Sequence, residues 1–220
     1  MRGPFHSSRV SAYPSAIGCD EVGRGALCGP VVVAAVWFNP PELPGNFIEA
    51  LDDSKKLNPV TREMLAQQIF QLGRVAVAAS SAARIDQIGI RPATLDAMCR
   101  AISSLPVSSH VYVDGRDIPP GLTSGCTALV RGESQIPQIA ASSIVAKTLR
   151  DRIMRTLGRR HPEYRWERNS GYGTSEHLEA LGRFGPTRHH RNTFSPVSQL
   201  QFQYQEHASF LDEPRDVIAI

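Results

Sequence analysis

Cysteine is scarce and scattered in this chain: Cys19, Cys28, Cys99 and Cys126 form no CxxC pair. That argues against a zinc site or a disulfide framework and suits a reducing cytoplasm. Long apolar runs are missing too. Val31 to Phe38 is the longest, far short of the roughly 20 residues that cross a bilayer. Met1 to Ser8 carries no apolar segment of the kind a secretory leader needs. No internal repeat and no extended low-complexity tract occurs. These absences set aside secreted, membrane-spanning and repeat architectures. They leave the expectation of a soluble cytoplasmic protein.

What is present is ordinary globular material. Of the 220 residues, 41% are hydrophobic and 20% charged, enough to bury a sizeable core. The length exceeds the commonest single domain but is short for two. Net charge is only +3, yet the basic residues cluster. Lys147, Arg150, Arg152 and Arg155 make one run, Arg159, Arg160, Arg165 and Arg168 a second, and Arg183, Arg188 and Arg191 a third. Such runs suit a surface that faces a polyanion, and a solvated helix face explains them equally well.

The pattern of apolar residues alternates strands with helices. Residues 1–13 lack periodicity and read as a flexible N-terminal tail. Ile17 to Asp20 reads as a short strand ending in carboxylates, and Pro30 to Phe38 as a buried strand. Asn58 before Pro59 marks a helix start, and Gly73 its stop. Arg74 to Ser80 reads as a strand, and Pro92 opens a helix with Leu95, Met98, Cys99 and Ile102 at helical spacing. His110 to Asp114 and Thr127 to Val130 are further strands. Pro137 to about Leu157 is the longest helix, expected to turn Ile144, Val145, Leu149 and Ile153 inward. A last helix starts at Thr174. Strands and helices mixed within one core predict an α/β domain over 14–198, with 199–220 as a C-terminal tail.

Two of these strands end in acids beside glycine: Asp20-Glu21 before Gly23 and Gly25, and Asp114 before Gly115. Adjacent acids on a regular strand point to opposite faces, so Asp20 and Glu21 share a site only if the strand stops there. Carboxylates gathered at strand ends repel each other unless a cation lies between them. All-oxygen ligands favour Mg2+ or Mn2+. Each acid taken alone is also explained by a turn cap. The segment Gly18 to Gly25 imitates a phosphate-binding loop but lacks its Lys and Ser/Thr, and it fails the dinucleotide G-x-G-x-x-G order. What remains is a glycine loop whose bare N–H groups can approach a sugar or phosphate.

The run Asp20-Glu21-Val22-Gly23-Arg24-Gly25 resembles the signature of type 2 ribonuclease H, the bacterial ribonuclease HII family. Further matches follow in order: Asp53-Ser54-Lys55-Lys56-Leu57, Ala93 to Met98, and Val113-Asp114-Gly115. The helix containing Ser143, Lys147, Arg150 and Asp151 is next, then Gly171-Tyr172-Gly173-Thr174, and Gly185-Pro186 with His190-Arg191. The resemblance spans about residues 17 to 197.

It implies a ribonuclease H-like fold: a central mixed sheet flanked by helices, with a small C-terminal helical extension. It implies an endoribonuclease that hydrolyses the RNA strand of RNA–DNA hybrids and single ribonucleotides in duplex DNA, leaving 5′-phosphate and 3′-hydroxyl ends. Asp20, Glu21, Asp114 and Glu133 would be the metal ligands for two-metal hydrolysis with Mg2+ or Mn2+. Glu133 departs from the family, which has Asp there. Gly23, Arg24 and Gly25 would meet the ribose 2′-hydroxyl, and Tyr172 would stack on the neighbouring deoxyribose. Lys55, Lys56, Lys147, His190 and Arg191 are assigned either to phosphate contact or to bracing, and Asp151 to a structural role. The alternative is a hybrid-binding module of the same fold without catalysis, for which only Glu133 speaks. The sister type 3 enzyme normally carries an extra N-terminal domain, and about 16 residues precede the first strand here. A monomer is expected, with the hybrid or ribonucleotide-containing duplex as partner, no membrane, and protein partners unassigned.

Overall fold

The computed structural model describes residues 3–122 and 125–200. In chain order its main elements are β1 (Ala16–Val22), β2 (Val31–Phe38), α1 (Gly45–Ala50), α2 (Pro59–Leu72) and β3 (Arg74–Ser80). Then come α3 (Ala82–Ile88), α4 (Ile90–Ser103), β4 (Val111–Asp114), β5 (Cys126–Leu129), α5 (Pro137–Arg160), α6 (Trp166–Asn169) and α7 (Ser175–Phe184). The strands form one sheet in the order β3-β2-β1-β4-β5. β2 is antiparallel to β1 and β3, whereas β1, β4 and β5 run parallel.

Contacts divide the chain into two compact units. The first is residues 1–24 and 30–153, and the second is 25–29 and 154–220. In the first, both faces of the sheet are buried, which is why β2 reads as a continuous Val/Ala run rather than an alternating one. One face packs Val32, Ala34 and Val36 against Ile144 and Val145 of α5 and Leu65 and Ile69 of α2. The other packs Ile17, Cys19, Val33 and Val113 against Met98, Ala101 and Ile102 of α4. In the second unit Leu27, Cys28, Met154, Tyr164, Trp166 and Leu181 form their own cluster.

Local chemistry explains the element ends. The Asn58 side chain accepts from Thr61 N, Pro59 opens α2, and Gly73 closes it. Thr174 caps α7 in the same way through His177 N. Several expectations need correction. Residues 3–13 are not a loose tail: Phe5 is buried in the first core, and Ser7 donates to Glu49. One aromatic anchor does what periodicity could not signal. Helix α4 begins at Ile90, not Pro92. The short helices α1 and α3 carry too few turns to leave a readable period. Ile153, expected to turn inward, is exposed. Of the expected tail, residues 201–220 lie outside the described residues. Among those described, no helix is long and apolar enough to cross a membrane.

Candidate active site

Strand β1 does not stop at its acids. It continues to Val22, with Asp20 opposite Ala34, Glu21 opposite Val33, and Val22 opposite Val32 on β2. Because paired residues share a face, Asp20 lies on the α5 side of the sheet and Glu21 on the α4 side. The neighbour on the other flank is what ends. β4 pairs with β1 only as far as Cys19 opposite Val113, then terminates at Asp114. The acids of β1 thus border a gap left by a shorter strand. The expected strand end is real, but it belongs to β4.

From the α5 side, the Ser143 hydroxyl acts on the Asp20 carboxyl, pulling it down against burial. Ser143 in turn shares a 2.9 Å hydrogen bond with the buried Ser54 hydroxyl. The Ser54 loop is fixed by Arg62, whose Nη1 reaches the Ser54 carbonyl at 3.0 Å while Nη2 pairs with Asp151 at 2.9 Å. Lys147 closes the set, 2.6 Å from the other Asp151 oxygen. Asp151 and Lys147 therefore brace α5 against the loop. Ser54, Ser143 and Arg62 were not singled out as site residues, since a hydroxyl or a lone helical Arg has no spacing that announces it.

Asp114 accepts a 2.8 Å hydrogen bond from Gly132 N, in the turn that carries Glu133. Arg131 enters that turn in the left-handed region (φ 57°, ψ 43°). The Asp114 carboxylate also bears on the Glu133 side chain, whose carboxyl it raises. Burial first, then the charges of Glu21 and Asp114, push the Asp20 carboxyl well above its ordinary value. Burial likewise raises Glu21, against the pull of Arg24, and raises Glu133 with help from Asp114. The four acids are one electrostatic group spread over both faces of the sheet end.

On the α4 side, Glu21 Oε1 pairs with Arg24 Nη1 at 3.2 Å, while Glu21 Oε2 is buried with no hydrogen-bond partner. A small crevice lined by Glu21, Arg24, Thr94, Met98, Asp114 and Asp117 adjoins it. Among the described residues no three His, Cys, Asp or Glu side chains converge on one point as a finished metal cage. The donor set nevertheless fits a hard divalent cation: oxygens only, mutually repelling, with a buried Oε2 wanting a positive partner.

Gly23 sits at φ +92°, and a Cβ there would fall 2.0 Å from Arg150 Nε. The fully buried Arg150 spends that Nε on the Pro30 carbonyl at 2.9 Å, so Gly23 is fixed on two counts. Arg24 is exposed, and a Cβ at Gly25 would meet nothing within 4 Å. Lys55 is exposed, and Lys56 pairs with Asp52 at 3.1 Å.

In the second unit, Tyr172 is 38% exposed just before the Thr174 cap. His190 and Arg191 have no comparable access, at 1% and 0%. Arg191 directs Nε and Nη2 to the Gly29 carbonyl and lies over the Phe194 ring. His190 hydrogen-bonds His177 and Thr187. Of the two roles open to this pair, phosphate contact needs surface they do not have. Both side chains spend their hydrogen bonds inside the second unit.

Comparison with known proteins adds family to geometry. The ribonuclease HII family model matches residues 17–197. A ribonuclease HII of Cereibacter sphaeroides is 46% identical over 195 residues, 88% of this chain and 90% of its own. One from Paramagnetospirillum magneticum is 50% identical over 183 residues, 83% of this chain and 90% of its own. Among solved structures, the ribonuclease H2 of Pyrococcus horikoshii superposes with a TM-score of 0.73 at 22% identity, covering 87% of this chain and 99% of its own. At that identity the likeness speaks for the fold.

Proposed function

Because the chain belongs to the ribonuclease HII family, we propose that Asp20, Glu21, Asp114 and Glu133 form the centre at which it hydrolyses the RNA strand of RNA–DNA hybrids. The observation that carries this assignment is the gap beside β1. Strand β4 ends at Asp114, four carboxylates interact around that end, and Glu21 Oε2 is buried without a partner. The four acids would hold divalent cations, Mg2+ or Mn2+. Held there, such ions would supply the activation of a water and the stabilisation of the leaving oxygen that give 5′-phosphate and 3′-hydroxyl ends.

The chain's own groups do the rest. Gly25 is exposed with open space around it, and the turn Gly23-Arg24-Gly25 would meet the ribose 2′-hydroxyl, the atom that separates RNA from DNA. Arg24 is long enough and exposed enough to leave Glu21 for a phosphate. Tyr172 stacks on the deoxyribose beyond the RNA, so that the enzyme also acts on single ribonucleotides within duplex DNA. Lys55 and Lys56, on the loop that Ser54 anchors, contact phosphates and supply affinity rather than selectivity. Glu133 would hold its cation through one more methylene than the family's Asp.

Asp20→Asn and Asp114→Asn are each expected to lower cleavage of a hybrid, and of duplex DNA with one ribonucleotide, by more than about 100-fold. Their circular dichroism should match the parent. Near-normal turnover by either variant would remove the acid from the site. A parent protein that binds the hybrid but never cuts it, with Mg2+ or with Mn2+, would point to the non-catalytic binding module instead.

A further inference from the structure

His177 and His190 are buried in the second unit and touch each other, Nε2 to Nε2 at 3.1 Å. Their hydrogen-bond partners settle which nitrogen carries each proton. Trp166 Nε1 can only donate, and it points at His177 Nε2 from 3.0 Å. His177 Nε2 is therefore an acceptor, and its proton resides on Nδ1. The Thr187 backbone N–H points at His190 Nδ1 from 2.8 Å, so His190 keeps its proton on Nε2 and donates it to His177. The imidazoles form a directed chain from Thr187 through His190 to His177. It ends at one atom: His177 Nδ1–H donates to the Tyr172 carbonyl oxygen at 3.0 Å.

That carbonyl also accepts from Thr174 N at 2.8 Å, and Tyr172 N donates to the Asn169 carbonyl at 2.9 Å. The preceding Gly171 has φ +80°, and a Cβ there would lie 2.8 Å from Cys28 Sγ. The peptide on each side of Tyr172 is thus held, while its ring remains exposed. Burial keeps both imidazoles neutral, with His190 pushed down to about 3, so the chain of donors stays directed at neutral pH.

We infer that His177 and His190 are positioning residues that aim the Tyr172 ring through its backbone carbonyl, and so set how well the enzyme distinguishes an RNA–DNA junction from a continuous hybrid. This rests on the reading of Tyr172 as the junction-stacking residue. It also gives the histidine of the Gly185-Pro186 to His190-Arg191 motif a task, since it is too buried to reach a phosphate.

The measured quantity is the ratio of kcat/KM on duplex DNA with one ribonucleotide to kcat/KM on a long hybrid, with thermal unfolding followed in parallel. His177→Leu, which fills the space but donates nothing, should lower that ratio about 2- to 12-fold, the net size of one hydrogen bond. His177→Asn, whose amide can donate where Nδ1–H did, should restore most of it. In a Tyr172→Ala background, His177→Leu should lower the ratio no further. If His177→Leu does not fold, His190→Gln carries the same test and should lower the ratio in the same direction.

An equal fall on both substrates, leaving the ratio unchanged, would mean that the histidines only fill a core. If Tyr172→Ala lowers the ratio and neither histidine variant does, the positioning role is wrong and the reading of Tyr172 survives. If Tyr172→Ala itself leaves the ratio untouched, that reading falls, and this inference with it.

Discussion

Ser143 shows how much a single uncharged side chain can decide. Its hydroxyl pulls the Asp20 carboxyl down against the burial that raises it. Ser54 shares a 2.9 Å hydrogen bond with that hydroxyl and holds its oxygen in place. A ligand so oriented loses less entropy on gripping a cation, and groups that orient ligands are typically worth 10- to 100-fold in metal affinity. Ser143→Ala is expected to raise the Mg2+ concentration for half-maximal cleavage by about that factor, with less change in the rate at saturating metal. An unchanged metal titration would show that Asp20 needs no such guide. The sequence placed Ser143 in a motif but not in a site, because the contact joins residues 54, 143 and 20 across the fold.

At the scale of elements, the site depends on how closely β1 lies against α5. A Cβ on Gly18 would fall 2.1 Å from the Gln138 carbonyl carbon and 2.3 Å from Ile139 N, both backbone atoms that cannot swing aside. The small residues Ala140, Ala141 and Ser142 of α5 are fully buried, as close packing of helix on sheet requires. That same closeness lets Ser143, a residue further along α5, reach Asp20. Gly18→Ala must push the helix away and should cost about 1–3 kcal/mol. A urea unfolding midpoint lowered with an unchanged m-value would show it. A midpoint equal to the parent's would mean that strand and helix have slack between them. Ala140, Ala141 and Ser142 stand side by side in the sequence, whereas their partner Gly18 was visible only as part of a glycine loop.

For the whole molecule, the buried acids make stability depend on pH and on metal together. The folded protein holds the Asp20 proton more tightly than an unfolded chain, whose carboxyl titrates near the ordinary 3.8, and Glu21 and Glu133 shift the same way from 4.5. Below these values both states are protonated and nothing is lost. As pH rises through the window, the unfolded chain releases protons that the native state retains, so stability falls. In EDTA the Tm is therefore expected to decline from about pH 4 upward through these groups. Asp20→Asn should lessen the decline and be more stable than the parent at neutral pH. Mg2+ at about 100 times its Kd adds about 2.7 kcal/mol, or roughly 5–10 °C for a chain of this size. A metal-free Tm that is flat with pH, or no rise with Mg2+, would contradict the acid cluster.

The sequence alone determined the alternation of strands and helices, the caps at Asn58 and Thr174, and the acids beside glycine. Each of these is written in neighbouring residues: a period, a cap, a turn. The ordered motifs from Asp20 to Arg191 extended that local reading to a family. Only the tertiary structure decided that β1 runs past its acids while β4 stops beside them, since strand length depends on the partner and not on the strand's own residues. It also decided that Arg191 and His190 are buried, and that Phe5 anchors the first residues. Burial is a property of what packs around a side chain, and a charged residue carries no mark of which neighbours will enclose it.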